Sequence, residues 1–416
     1  MNLYITSQHN FTEVKNIYEF TCRIPGIPLF LIRQFYLIWK MTEKITEIKI
    51  KPVKKEREGK LQPSRFWVQI SFLLICLWIG VEFHYFTRYF ETGGAEGSLS
   101  RPPGVEAFLP ISSMMSVYYY AITGELHKAH PAGFFIFLGI VTLSLALGKS
   151  FCSWICPVGS ISEAVGDFGD AIWMKLFKRK LRMPRWLDYP LRSLKYLLLA
   201  FFVYAIFLSM EAAALKAFLD SPYNVISDVK MYYFFADISQ FAFTVIAVLF
   251  LLSVVIRNFW CRYLCPYGAL LGVVSFLSPL KIKRDAEKCT SCHLCTLACP
   301  NRINVEKVNH VISDECSSCM KCVDACPLRD TLYVENIFTK KKVQKKYVTP
   351  LVIGSFFFFI ALGILTGNWQ NKVTKEEYQV YIELRNSLGH PTGVQSKKEL
   401  EIMEQRNKEA REKAGK

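Results

Sequence analysis

The sequence predicts a mostly α-helical, polytopic membrane protein of about five spans, interrupted by a small α+β cysteine-rich domain. Three observations point there. Hydrophobic residues make up 51% of the chain although 21% of its residues are charged, so the two kinds are segregated into blocks, which excludes a disordered chain and argues against a simple soluble globule. Five apolar stretches approach the roughly 20 residues needed to cross a bilayer. Eight of the 14 cysteines fall between Cys289 and Cys326 in a regular spacing, which is how metal sites, not secreted disulfide scaffolds, are built.

The elements follow in order. Residues 1–65 form a basic N-terminal extension. Within it 24–39 is apolar but contains Pro25, Pro28 and Arg33, the pattern of an interfacial helix rather than a span. A Lys-rich stretch opens at Met41, and 1–40 reads as a dispensable extension or a misplaced start. No basic start, apolar core and small-residue cleavage site occur in sequence, so the first span is expected to act as an uncleaved signal-anchor. The five spans are 66–86, 132–147, 194–210, 241–256 and 348–366, the second and fourth being short. Alternating their sides puts 34 Lys and Arg on one face and 5 in the two short loops of the other. Positive charge collects inside. The expectation is therefore a multi-pass protein of the bacterial inner membrane, with a membrane domain over 66–280, a cytoplasmic cysteine-rich domain over 281–346, a fifth span over 347–366 and an exterior tail over 367–416. The tail mixes Glu and Lys at helical spacings and is expected to be a loosely packed, solvated helix pair. Because the +16 net charge follows topology rather than one aromatic-interleaved patch, nucleic acid is not an expected partner.

The chemistry lies in the cysteines. Cys289-Thr-Ser-Cys292-His-Leu-Cys295-Thr-Leu-Ala-Cys299-Pro300 is followed by Cys316-Ser-Ser-Cys319-Met-Lys-Cys322-Val-Asp-Ala-Cys326-Pro327. Each run reads C-x2-C-x2-C-x3-C-P, the spacing with which thiolates wrap a [4Fe-4S] cube in bacterial two-cluster ferredoxins. Three close cysteines reach one cube from a tight loop. The fourth is expected to start the following helix, point away and serve the neighbouring cube. One cluster thus takes Cys289, Cys292, Cys295 and Cys326, and the other Cys316, Cys319, Cys322 and Cys299. Pro300 and Pro327 turn the chain away after the crossover cysteine. Zinc knuckles give no reason for two identical four-cysteine runs each ending in Pro. His293 and Met320, inside the loops, are expected to shield or tune the clusters.

Two more pairs form an internal repeat at span ends: Phe151-Cys152-Ser-Trp-Ile-Cys156-Pro157-Val-Gly159 and Trp260-Cys261-Arg-Tyr-Leu-Cys265-Pro266-Tyr-Gly268. On a helix the C-x3-C spacing puts both sulfurs on one face. Cys152, Cys156, Cys261 and Cys265 read either as one shared redox site, holding a third cluster, Cu(I) or a dithiol, or as small hydrophobes beside a helix-ending turn. Cys22 and Cys76 have no partner in the pattern. His127 and His130 would come together if their stretch is helical, but without cysteine or carboxylate partners they read as structural, as do His84 and His390. No phosphate-binding loop, Rossmann glycine run or nucleophile elbow is present.

As a set, both C-x3-C-P pairs, both four-cysteine motifs and the ending Leu388-Gly-His390-Pro391 resemble the membrane-bound polyferredoxins of the NapH, YccM and NosR type, over about residues 66 to 392. The flavin-binding domain of the NosR type has no counterpart here. The resemblance implies an electron carrier, or a quinol-linked oxidoreductase subunit, passing single electrons between the quinone pool or a membrane partner and a redox partner protein. The competing expectation is a copper or metalloenzyme maturation factor that binds and reduces copper at the C-x3-C-P thiolates.

Overall fold

The computed structural model describes residues 60–389 except 99, 179, 180 and 182. The expected interfacial helix at 24–39, Cys22, the start near Met41, His390 and the tail beyond it lie outside the described residues. Described residues up to 181 and from 189 onward form one compact unit, within which every contact below lies, and 183–188 belong to a second unit.

In chain order the helices are α1 (Gln62–Glu91), α2 (Pro110–Thr123), α3 (Pro131–Leu147), the single turn α4 (Phe151–Trp154), α5 (Pro157–Phe177), α6 (Arg185–Val203), α7 (Ala212–Leu219), α8 (Ser227–Ala236), α9 (Gln240–Val255) and α10 (Pro266–Ser275). The cysteine-rich segment follows as β1 (Leu280–Arg284), α11 (Leu294–Ala298), α12 (Lys321–Ala325), β2 (Leu332–Asn336) and β3 (Lys342–Val343), and the chain returns through α13 (Lys345–Leu365) and α14 (Lys375–Glu383). π-helical turns at Tyr204–Leu208 and Trp260–Leu264 end the α6 and precede the α10 segments.

All five segments expected to cross a membrane are helical. Among the described residues three helices are long and apolar enough by themselves, Gln62–Glu91, Trp186–Leu208 and Lys345–Leu365, and a fourth span results if α8 and α9, bent by 80° at their break, count as one. α3 has 17 residues, about 25 Å of helix against a hydrocarbon core of about 30 Å. Its position explains its composition: twelve of its residues are buried, with Ile136, Ile140 and Leu143 packed in one core with Val352 and Phe356 of α13. A helix that is apolar all round belongs at the centre of a bundle or against lipid. α9 takes the second option, burying only Ala242 and Ser253. It lies close against α5, where a Cβ on Gly169 would meet the Val254 carbonyl oxygen at 2.0 Å.

Far from the cysteines in sequence, a buried ionic cluster fixes the start of α3. Arg101 pairs with Glu106 and Asp228, both at 2.7 Å, and Glu106 also accepts from the Gly133 N–H at 2.8 Å. Pairing of this kind is what makes buried charge tolerable. The stretch carrying His127 and His130 is not helical, so the two do not share a face. His127 pairs with Asp220 at 3.0 Å, while His130 Nε2 donates to the Asn224 carbonyl at 2.7 Å. His84 Nδ1 lies 2.6 Å from the Tyr232 hydroxyl.

The described part of the tail differs from the loosely packed helix expected. α14 opens with a capping box between Thr374 and Glu377 and buries Tyr378 and Ile382 in a core with Phe86, Phe90 and Leu388. The i, i+4 spacing of Tyr378 and Ile382 makes an apolar stripe that charge counting overlooks.

Candidate metal centres

In the cysteine-rich segment β1 and β2 pair antiparallel with Ile282 opposite Val334, and β3 adds to the other edge of β2. Two cavities lie beside this sheet. The first, of about 360 Å³, is lined by Cys289, Cys292, Cys295 and Cys326, with Arg284 and Glu306 on its wall. The second, of about 320 Å³, is lined by Cys316, Cys319, Cys322 and Cys299, with Ile282 and Val305 among its apolar walls. Each cavity thus takes three cysteines from one motif and the fourth from the other.

The two loops are built alike. Ser291 and His293 in the first, and Ser318 and Met320 in the second, adopt left-handed backbone with φ between 50° and 64°. Such a conformation costs a non-glycine residue about 1–2 kcal/mol, and its recurrence at matching positions curls the loop so that successive N–H groups form an anion-binding concavity. His293 and Met320 are therefore backbone turning points that cap α11 and α12. The fourth cysteine does not begin a helix, as expected from the spacing. Cys299 and Cys326 instead end the one-turn helices α11 and α12, with ψ of 117° and 123°, and the following Pro prevents continuation. Leaving the helix at this point swings each sulfur toward the other motif's cavity.

The donor set fits an iron-sulfur cube. Burial pushes the Cys295 and Cys316 thiols up to about 11 and the Cys299 thiol up to about 12. Bare sulfurs here stay protonated at neutral pH, whereas a coordinating metal deprotonates them outright. Among the described residues no group of three or more His, Cys, Asp or Glu side chains is gathered closely enough for a single ion. Four cysteines that line a cavity without closing on a single point suit a multi-iron group better than tetrahedral zinc.

Cys152, Cys156, Cys261 and Cys265 also come within electrostatic reach of one another. They do not share a continuous α-helical face. Cys152 lies in the α4 turn and Cys261 in the π-helical turn, while Cys156 and Cys265 precede α5 and α10 in extended backbone. The repeat is real in three dimensions: the Gly159 N–H faces the Cys156 sulfur, and the Gly268 N–H donates to the Cys265 sulfur at 3.2 Å. Gly159 has to be glycine, since a Cβ would lie 2.0 Å from the Cys152 carbonyl oxygen. Cys76 is a free thiol on α1.

Both pairs clasp the wall of the second cavity through the residues between their cysteines. Ser153 Oγ donates to the Ser317 carbonyl at 2.6 Å and Trp154 Nε1 to the Ser318 carbonyl at 3.1 Å. From the other pair, Arg262 Nη1 donates to the Asn301 carbonyl at 3.1 Å. The start of α1 completes the junction, as Leu61 N–H and Gln62 N–H donate to Asp324 at 2.7 and 2.9 Å. A cation overlooked in the sequence sits beside the four thiols: Lys149 is buried and faces Cys152, Cys261 and Cys265. A signal was present, because Lys149 is the first charge after an uncharged run that opens at Pro131.

Residues 129–184 and 238–285 match the family model described as a 4Fe-4S binding domain, each stretch holding one C-x3-C-P pair, and 281–327 match that of a 4Fe-4S dicluster domain. The chain is 43% identical over 329 residues to "Putative electron transport protein YccM" of Escherichia coli (strain K12), covering 77% of this chain and 90% of the relative. It is 32% identical over 199 residues to "Methylamine utilization ferredoxin-type protein MauN" of Methylorubrum extorquens, covering 47% and 60%. Over 184 residues it is 28% identical to "Regulatory protein NosR" of Stutzerimonas stutzeri, covering 42% and 23%. No solved structure matches the chain.

Proposed function

The chain belongs to the membrane-associated 4Fe-4S ferredoxin-type family, and from that premise we propose that it carries single electrons between the quinone pool and a redox partner protein. Cys289, Cys292, Cys295 and Cys326 would hold one cluster, and Cys316, Cys319, Cys322 and Cys299 the other. Bound there, the cubes supply reversible one-electron chemistry. The protein contributes burial, spacing and charge. In this reading residues 281–346 are a cytoplasmic insert and five helices including α3 and α9 cross the membrane, which the distribution of Lys and Arg supports, and alternation of the spans then puts α14 on the exterior side.

One observation carries the proposal: Ser153, Trp154 and Arg262, which lie inside the two C-x3-C-P pairs, hydrogen-bond the backbone that forms the second cavity. This arrangement supports a third redox station at the four C-x3-C-P thiols, against the second cluster. The first cavity is then left for the partner, and Arg284 on its wall and exposed Lys288 nearby suit an acidic one. On the quinone side, support comes from an apolar pocket lined by Leu147, Val334, Val348 and Val352, with Cys316 also on its wall. The Ser150 hydroxyl on that wall is buried and without a hydrogen-bond partner.

The test is anaerobic reduction in proteoliposomes. Added quinol is expected to reduce the iron-sulfur chromophores to the extent that their potentials allow, with a quinol-site competitor blocking it. Clusters that respond to dithionite but to no quinol would contradict the quinone assignment.

A further inference from the structure

We infer that the four C-x3-C-P thiols hold an anionic iron-sulfur cluster and that Lys149 is its counter-charge, a positioning residue that sets how easily this centre accepts an electron. The inference rests on the reading of these pairs as a third redox station. Lys149 is buried, and its Nζ would lie 3.5 Å from a Cβ on Gly268, the same distance as the Cys265 sulfur. A buried ammonium requires an anion.

The nearby carboxylates are already engaged. Glu315 accepts from Lys195 at 2.5 Å and from Arg192 at 3.0 Å. Asp314 accepts from Arg192 at 3.1 Å, lies 3.6 Å from Lys195, and also takes the Tyr196 hydroxyl. Lys149, Arg192 and Lys195 therefore face two carboxylates, before Arg262 is added on the cationic side. Lys149 faces Cys152, then Glu315, and then Cys265 and Cys261, so it shares with Arg192 and Lys195 a carboxylate that both of them already hold at 3.0 and 2.5 Å. Four thiolates around a cube make a dianion, and one further electron makes it more negative, so a fixed cation at this place favours the reduced form. With neutral thiols Lys149 has only a share in Glu315, which Lys195 and Arg192 already hold. The second repeat carries Asn258 at the position equivalent to Lys149, so one cation serves both halves.

The experiment is an anaerobic EPR-monitored redox titration with iron analysis on the full chain, comparing wild type, Lys149→Gln and Lys149→Arg. In Lys149→Gln the C-x3-C-P centre is expected to keep its iron. Its reduced-to-oxidised ratio should fall at least tenfold at a given potential, a shift of about 59 mV for one electron. The two clusters of residues 281–346 should stay unmoved, and Arg should restore the wild-type value. Loss of about four irons in Lys149→Gln that Arg restores also supports the inference. Loss that Arg does not restore, or an unmoved potential with full iron, overturns it. If the wild type holds about eight irons, and replacing the four C-x3-C-P cysteines changes nothing, the third station itself is absent, a different failure from an indifferent Lys149.

Discussion

Cys326→Ser is expected to remove the cluster of the 289–295 loop, although Cys326 belongs to the other motif. About four irons should be lost, and the remaining EPR spectrum should match that of Cys289→Ser rather than that of Cys316→Ser. Cys299→Ser should behave reciprocally and match Cys316→Ser. The reason is the shared geometry of the two short helices. Cys299 and Cys326 end α11 and α12 with nearly the same backbone angles, and each lines the cavity formed by the opposite loop. Were each motif to bind its own cube, Cys326→Ser would instead resemble Cys316→Ser. Serine is close in size to cysteine, so a core otherwise packed around Ile282, Val305 and Val334 should survive, and the difference falls on the metal.

Replacing Cys152, Cys156, Cys261 and Cys265 together by Ser is expected to abolish quinol-linked reduction while leaving the two clusters of residues 281–346 reducible by dithionite. Hydrogen bonds that hold this segment to the membrane helices involve Ser153, Trp154, Arg262 and Asp324, together with Arg192, Lys195 and Tyr196 of α6 on Asp314 and Glu315, and the variant alters none of these residues. Reduction of the segment should therefore be disconnected from the membrane rather than the segment undone. Quinol reduction at the wild-type rate would make the four thiols structural. Copper that co-purifies with the wild type but not with this variant would favour the maturation reading, because soft thiolates suit Cu(I).

Much of this was legible in the residues, and the limits are informative. The C-x2-C-x2-C-x3-C-P spacing already implies the crossover, because a tight loop can present only three sulfurs to one cube. The repeat of Cys152-x3-Cys156-Pro157 in Cys261-x3-Cys265-Pro266 offered a shared site as one of two readings, beside small hydrophobes at a helix-ending turn. The clasp could not be read, since Ser153, Trp154 and Arg262 act through backbone carbonyls, which carry no side-chain signature. The bounds of α3 were read to within a residue, 132–147 against Pro131–Leu147, whereas α1 runs beyond the expected 66–86 to Gln62–Glu91 because its end turns carry Arg65, Arg88 and Glu91, charges at which an apolar run stops. His127 and His130, read from the sequence as structural, each bond a tertiary partner, Asp220 and the Asn224 carbonyl, and such partners of loop residues leave no mark in local spacing.

The central claim is that this chain holds iron as thiolate-bound cubes. Its most direct test is iron, acid-labile sulfide, zinc and copper analysis of protein purified under strict exclusion of oxygen. About twelve irons and twelve sulfides per chain are expected with the third centre filled, and about eight of each without it. Stoichiometric zinc with no sulfide, or a chain free of metal under those conditions, would contradict it.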